Sequence, residues 1–569
     1  MMKIYTVGKN DDVILNELDF AKIEMPIIST DNEIHDFVET NFFHLDFNAL
    51  IITVKKADTT TMFRLALHIR LTEKLWEKRL CSILFISTES LGTILRDAGI
   101  YGHILATKGC RFEQLKSIEI IGKAIEKVEP LTPDDFKVSF LKQISIQPDE
   151  TIGRHSIANQ WGALILDKVA NTKVLDSNRE LLDTQKKLYF KYVSALNFDY
   201  SKLNKPQKQL IDLEQFNKSI TIDSKGYKIL LIDDEAEKGW QNVLEKVFKN
   251  NTKFDTISEK IKDFDGFSSN SKTIIENEEY DLYLIDLRLN GIDEEGVIEP
   301  RDFSGTKILK KIKEINKGNQ VIIFTASNKA WNLKALLDLE QGADGYYIKE
   351  SPEYNFPLNF SKENYSNFQN EVRKCLKLNY LRKIFDISKK CNDFINVDKP
   401  NRSIYYKSFY ERSEASLEIA FELLKKSAND LKYLNLAYLT YFQILEDYVG
   451  QHENFRFDYN SGNAYVNSNV LVINGNTKEW QLKFIKKGIE KYDYFEVGTE
   501  INDKNWSSLS QISFALIFKF NKNNAYLQNW GKLNYLRNTK AGHGGDKGFV
   551  TIPEIKELLE IVELFLTNP

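Results

Sequence analysis

The sequence predicts a multidomain protein: two doubly wound parallel-sheet α/β domains, a helical connector between them and an all-α C-terminal bundle. Three observations predict this. Runs such as Ala49 to Val54 (ALIITV) and Lys228 to Ile232 (KILLI) are continuously apolar, as strands covered on both faces are. Helical spacing separates such runs, so strands and helices alternate over 1–130 and again over 226–391. From Ser403 onward the apolar residues recur mainly at helical intervals.

Composition bounds the function. A chain of 569 residues holds several separate cores. Its formal net charge of -4 means that any nucleic-acid contact must use a local basic patch. Cys81, Cys110, Cys375 and Cys391 are widely spaced and form no CxxC pair. They fit a reducing cytoplasm better than a disulfide framework or a zinc site. The amino terminus lacks the layout of a signal peptide, and no apolar run is long enough to suggest a membrane span.

In the first unit, Lys3 to Val7, Ala49 to Val54 and Ser82 to Ile86 read as strands, and His103 to Ala106 as a further one. Met62 to Leu75 reads as a helix through Phe63, Leu67, Ile69 and Leu71. Pro130, Pro133 and Pro148 open residues 131–225, a connector with polar helical stretches such as Ser177 to Asn197. His155, within Gly153-Arg154-His155-Ser156, reads as a helix-start or core histidine rather than a phosphorylated or metal-binding one.

The strands of the second unit are Lys228 to Ile232, Leu282 to Ile285, Val321 to Phe324 and Tyr346 to Ile348. Thr306 to Ile315 and Leu333 to Leu339 read as helices between them, and a long polar helix from Ser361 to about Lys390 closes the unit. The last domain, 403–569, opens with helices through Leu417 to Leu424 and Leu434 to Tyr448. An irregular Asn-, Gly- and Tyr-rich region follows, up to about Trp506. Leu509 to Phe518, Ala525 to Leu536 and Ile555 to Leu566 are further helices, the last with Thr551 and Pro553 at its start.

Chemistry gathers at two places. Asp233 and Asp234 directly follow one buried strand and Asp286 another, where open α/β sheets bind ligands. Three carboxylates there repel unless a cation joins them, and hard oxygen ligands suit Mg²⁺. Thr325 follows the next strand with a hydroxyl donor, and Lys349 ends the last with a compact charge suited to a phosphoryl group.

The ordered set KILLIDDE, DLYLIDLRL, IIFTAS and GADGYYIK resembles a response-regulator receiver domain, a flavodoxin-like fold. The resemblance implies Asp286 as phosphoacceptor and Mg²⁺ held by Asp233, Asp234, Asp286 and the carbonyl of Arg288. It implies Thr325 and Lys349 as phosphoryl-binding groups, Tyr346 as the switch aromatic, and a histidine kinase or phosphotransfer protein as partner. Two departures stand out: Glu350 replaces the usual Pro, and the loop from Asn290 to Phe303 is long and acidic. The first unit resembles a degenerate receiver. Thr53 stands where the phosphoacceptor is expected, Gly8 and Lys9 replace the acidic pair, Ser87 replaces the Thr, and Ala106 falls near the Lys position. Such a unit suits docking or dimerisation.

The second place is Arg537-Asn538-Thr539-Lys540-Ala541-Gly542-His543. Arg is a bidentate phosphate ligand, His moves protons near neutral pH, and Asn orients either. Arg537 and His543 are six apart, which is no helical repeat, so the helix must distort near Gly542 or two chains must share the site. The string resembles the Arg-Asn-x4-His motif of HEPN ribonucleases. It implies a homodimer and metal-independent RNA cleavage, with His543 as acid/base, Arg537 stabilising charge and Asn538 positioning. Glu446 is a candidate polar partner. Tyr526, Trp530, Lys532, Tyr535, Lys540 and Lys547 offer a basic, aromatic neighbourhood for single-stranded RNA. The expected function is a phosphorylation-regulated endoribonuclease of bacterial signalling or antiphage defence. The alternative is a non-enzymatic response regulator whose helical domain binds RNA or a partner protein.

Overall fold

Strand β3, Ala49–Thr53, is buried at every position because its two faces feed two different cores. Leu50 and Ile52 pack with Val7, Ile83 and Phe85, while Ala49 and Ile51 pack on the opposite face with Leu84, Ile86, Ile121 and Ile125. With β1 (Ile4–Lys9), β2 (Ala21–Met25), β4 (Ser82–Ser87) and β5 (Cys110–Gln114) it forms a five-stranded parallel sheet of order β2-β1-β3-β4-β5. The helix Thr59–Leu71 covers one face through Met62, Phe63 and Leu67.

The run His103 to Ala106 is not a strand; it lies in the 3₁₀ turns of Gly99–Ala106, and the fifth strand is Cys110–Gln114. A short apolar run has no periodicity that separates strand from helix. The true strand is an edge strand carrying Arg111 and Glu113, which masks its apolar signal.

The computed structural model describes residues 3–9, 18–117, 119–197, 220–290, 293, 299–326, 342–354, 356–450, 508–542 and 548–568, together with five short strands between 455 and 498. The chain divides into two units, Met1–Leu309 with Val321–Val372, and Lys310–Gln320 with Arg373–Pro569.

In the first unit the connector shares the core of the first sheet. Leu131, Phe136, Phe140, Leu141 and Ile144 join Phe85 and Ile52, as do Leu188 and Ala195. The stretch Ser177 to Asn197 is two helices, Arg179–Lys186 and Leu188–Asn197, rather than one. A buried polar relay fastens the second of them. Lys191 Nζ donates to Thr72 Oγ1 at 2.7 Å and lies 3.1 Å from His68 Nδ1. His68 Nε2 is 3.0 Å from Asp31 Oδ1, which also takes Arg64 Nη2 at 2.6 Å. Burial, then the charge of Lys191, pushes the His68 imidazole down to about 3. Burial likewise takes the Lys191 amine down to about 7.

The second sheet repeats the first. Its strands are β6 (Lys228–Ile232), β7 (Lys253–Ile257), β8 (Leu282–Asp286), β9 (Val321–Ala326) and β10 (Gly345–Lys349). They are parallel, in the order β10-β9-β8-β6-β7, the same 2-1-3-4-5 winding. Strand β7 (KFDTI) escapes the sequence reading because it is a half-polar edge strand. Trp240, Phe324, Tyr347 and Phe368 cluster on one face, with Phe324 5.2 Å from Tyr347 and Trp240 5.6 Å from Phe324. The expected helix Leu333 to Leu339 lies outside the described residues.

The long polar helix breaks into Leu358–Leu378 and Leu381–Asp398. Ile384, Cys391 and Ile395 of the latter belong to the core of the helical unit. That core is completed by Ile404–Lys426, Lys432–Val449, Asn524–Leu536 and Ile552–Thr567. A capping box at Thr551 and Glu554 starts the last helix. The region expected to be irregular contains the strands Phe455–Asp458, Asn463–Val466 and Asn469–Val472, in one antiparallel sheet, and the hairpin Trp480–Lys486 with Tyr492–Gly498. The Asn and Gly residues in the sequence mask these short strands.

Candidate functional site

Parallel pairing brings the carboxylates together. Asp286 ends β8, Asp233 follows β6, and Lys349 ends β10, so all three reach the carboxyl edge of one sheet. Lys349 Nζ lies 2.7 Å from Asp233 Oδ2 and 2.7 Å from Asp286 Oδ2, and all three side chains are buried. Gly305 allows the close passage of backbone beside Asp286: a Cβ there would lie 2.0 Å from the Asp286 carbonyl oxygen. Thr325 is buried on β9, beside Ala326, which pairs with Lys349. Tyr346 is half-buried, whereas Tyr347 is core.

The third acceptor of Lys349 comes from the connector. Asn159 Oδ1 lies 2.7 Å from Lys349 Nζ and takes Trp240 Nε1 at 3.1 Å. Asn159 sits on the helix Arg154–Ala170, whose first turns face the pocket. Ser156 Oγ donates to Glu235 Oε1 at 2.6 Å, and Asn159 Nδ2 donates to Glu235 Oε2 at 3.1 Å. His155 Nε2 is 3.4 Å from Asp234 Oδ1. A helix amino terminus is a favourable neighbour for carboxylates. Gly162, two turns on, permits the contact: a Cβ there would stand 2.8 Å from the Trp240 ring.

The charges are unevenly shared. Burial raises the Asp286 carboxyl, but Lys349, His155 and Arg288 outweigh it and hold the group below the usual carboxylate range. Asp233 moves the other way, raised by burial and by the carboxylates of Asp286 and Asp234 against the pull of Lys349. Burial opposes the charge on Lys349, yet the two carboxylates raise its pKa. Burial also opposes protonation of His155, but its hydrogen bond to Asp234 and the charge of Asp286 raise it above an ordinary imidazole.

Of the residues expected to hold a cation, Asp234 and Asp286 converge with His155, their ligand atoms all within 4.8 Å of one another. His155 stands in the first turn of its helix, as the sequence suggests, and that helix starts at the pocket. Asp233 is engaged elsewhere, Oδ2 with Lys349 and Oδ1 with the Glu235 N–H at 3.0 Å. The Arg288 N–H points toward Asp286 Oδ1 at 3.4 Å. Glu350, in place of the usual Pro, is buried and accepts from Ser361 Oγ at 2.7 Å.

Among the described residues, the same edge of the first sheet shows no cluster of carboxylates around a lysine. Thr53 Oγ1 donates to the Val7 carbonyl at 3.3 Å, and Ser87 Oγ to the Val54 carbonyl at 2.6 Å. Gln114, not Ala106, ends the fifth strand, and its amide donates to the Thr88 carbonyl at 3.1 Å.

In the helical unit the expected distortion lies on the motif itself. Arg537–Ala541 is a π-helical turn, closed by the Gly542 N–H on the Arg537 carbonyl at 2.9 Å. Such turns are frequent at functional sites, though this chain also has them at Phe136–Phe140 and Ala515–Lys519. Asn435 pins it, donating to the Lys540 carbonyl at 3.0 Å and accepting from the Val550 N–H at 2.9 Å. Arg537 Nη2 donates to Glu446 Oε1 at 3.0 Å and Nη1 to Asn538 Oδ1 at 2.9 Å, with the guanidinium 5.5 Å from the Phe442 ring. His543 and Lys547 lie outside the described residues. Trp530 is not a stacking surface for RNA: it is fully buried, stacked on Phe442 at 5.4 Å and bonded to Ser513.

Comparison with known families matches residues 1–113 to the Inactive Receiver domain. The segment that carries the first sheet is therefore similar to an inactive receiver domain. No curated protein matches the chain. Among the described residues no helix is long and apolar enough to cross a membrane.

Proposed function

We propose that this protein is a receiver-controlled, metal-independent endoribonuclease, in which Asp286 accepts a phosphoryl group and Arg537, Asn538 and His543 cleave RNA. The observation that carries the reading is Lys349 held between Asp233 and Asp286 at the carboxyl edge of a 2-1-3-4-5 sheet. A histidine kinase or phosphotransfer protein would supply the phosphoryl group. Asp234 and Asp286 offer oxygens to a divalent cation, Mg²⁺ by resemblance, which would offset charge on the incoming phosphate. Lys349 orients a phosphoryl oxygen, and Thr325 and Tyr346 respond to it.

In the output domain the RNA 2′-hydroxyl attacks the adjacent phosphorus and the bond to the 5′ oxygen breaks. A 2′,3′-cyclic phosphate and a 5′-hydroxyl result. His543 moves the proton, Arg537 offsets charge on the phosphate, and Asn538 positions. Glu446, bonded to Arg537, fixes the guanidinium. A homodimer would bring two motifs together, and use in bacterial signalling or antiphage defence fits an RNase that must be held in check.

A second reading, a non-enzymatic regulator that binds RNA or a protein, is favoured by one observation: burial of Trp530 removes the largest stacking group from the expected RNA surface. Purified protein incubated with RNA and EDTA, with and without acetyl phosphate, separates the two. Cyclic-phosphate ends whose yield responds to acetyl phosphate support the nuclease; binding without cleavage supports the second reading.

A further inference from the structure

The Asn159 side-chain amide has one orientation. Its Oδ1 receives Lys349 Nζ at 2.7 Å and Trp240 Nε1 at 3.1 Å, so its NH₂ must face Glu235 Oε2 and His155 Nε2, each at 3.1 Å. His155 Nε2 also lies 3.4 Å from Asp234 Oδ1. One ring nitrogen cannot satisfy both neighbours. Carrying a proton, it faces the amide hydrogens; carrying a lone pair, it faces a carboxylate. A divalent cation between Nε2 and Asp234 removes the conflict, and Asn159 keeps Glu235 as its acceptor.

The spacing suits such a cation. Ligand atoms about 2.1 Å from one metal lie roughly 3.0 to 3.4 Å from each other in octahedral or tetrahedral geometry. The His155 and Asp234 atoms are 3.4 Å apart, and an Asp286 ligand atom completes a group within 4.8 Å. Among the described residues His155 is the one basic side chain that pairs with Asp234, since Lys349 is taken by Asp233 and Asp286.

We propose that His155 is a nitrogen ligand of the pocket cation, so that this pocket selects a first-row divalent transition metal such as Mn²⁺ or Co²⁺ over Mg²⁺. The inference rests on the reading of the pocket as a receiver site, which supplies the cation but no imidazole. Mg²⁺ favours oxygen ligands and sheds water reluctantly, so a nitrogen ligand gains it little. Imidazole affinity rises along the first-row series from Mn²⁺ to Cu²⁺. The connector thereby becomes part of the metal site, and the cation ties it to the carboxyl edge of the sheet.

The test uses the full chain with MnCl₂, CoCl₂ and MgCl₂. Free Mn²⁺ is counted by electron paramagnetic resonance, and ¹⁴N coupling to bound Mn²⁺ is read by electron spin-echo modulation. The wild-type chain is expected to bind Mn²⁺ at least about tenfold tighter than Mg²⁺ and to show ¹⁴N coupling. His155→Ala and His155→Gln should each lose the coupling and at least about tenfold in Mn²⁺ affinity, with Mg²⁺ affinity unchanged. Circular dichroism confirms that the variants are folded, and Gln retains hydrogen-bonding capacity should Ala disturb the helix start. Mn²⁺ bound equally by wild type and variants, without nitrogen coupling, overturns the inference and leaves the receiver reading standing. Absence of binding by any of the three cations overturns the inference and the cation site of that reading together.

Discussion

Asn159 Oδ1 and Lys349 Nζ lie 2.7 Å apart although 190 positions separate them in the chain. An ammonium has three hydrogens, and Lys349 has three acceptors at 2.7 Å: Asn159, Asp233 and Asp286. A phosphoryl oxygen on Asp286 must therefore displace an acceptor, and the neutral amide is the weakest of the three.

Asn159→Ala should accordingly speed labelling of Asp286 by acetyl phosphate, measured on a phosphate-affinity gel. The lost bonds to Lys349 and Trp240 should lower stability by about 1–3 kcal/mol, measured by denaturant unfolding. Slower labelling would remove Asn159 as a competitor.

Gly162→Val should lift the connector helix from Trp240, because even a Cβ meets that ring at 2.8 Å and the Glu350 carbonyl at 3.3 Å. A loss of about 1–3 kcal/mol is expected, with a change in tryptophan fluorescence. Unchanged stability would show that the helix shifts freely.

His68 makes the first-sheet unit acid-sensitive. Its folded pKa, about 3, lies below the usual value of 6.5, so the unfolded chain binds the proton first as pH falls. The stability it contributes is fully present above pH 6.5 and is lost as pH falls toward 3. His35, also lowered by burial, acts in the same window, and His155, raised, acts oppositely near its upper end. His68→Gln should reduce the slope of unfolding free energy between about pH 4 and 6 by roughly 1.4 kcal/mol per pH unit. An unchanged slope would place the titration elsewhere.

Asn435→Ala should release the π-helical turn, since it removes the bonds to the Lys540 carbonyl and the Val550 N–H. A cost of about 1–3 kcal/mol is expected, together with reduced RNA cleavage. Cleavage that survives a measured loss of stability would separate the turn from catalysis.

Glu446→Gln should behave differently. The Arg537–Glu446 pair is partly exposed, so stability should change by less than about 1 kcal/mol. RNA cleavage should fall because Arg537 loses its charged anchor, and His543→Ala should remove about 10²- to 10⁴-fold of the rate. Full cleavage by both variants would leave the helical unit as a binding module.

Local pattern carried much of the architecture. The runs leading into Asp233 and Asp286 are central strands, and burial on both faces leaves an uninterrupted apolar signature, whereas the strand ending at Lys349 is an edge strand that alternates buried and half-buried residues. The edge strands Cys110–Gln114 and Lys253–Ile257 were illegible because each is only half-buried and tolerates polar residues. The separation of Arg537 from His543 calls for a distorted helix near Gly542 or a site shared by two chains, and a π-helical turn covers Arg537–Ala541. The burial of Trp530 is not legible locally, because an aromatic in a helix has the same spacing whether it faces solvent or Phe442.

The sequence by itself determined the buried central strands, the alternation of strands with helices, and which carboxylates and lysine would stand at strand ends. Periodicity and the end of an apolar run are local properties of the chain. Only the tertiary structure decided what faces those groups: that His155, Ser156 and Asn159 close over Asp234, Glu235 and Lys349. Those pairs are 79, 79 and 190 positions apart, and no spacing rule spans such distances. Their meeting depends on how one helix docks, through Gly162 and Trp240, onto a sheet built entirely from later sequence.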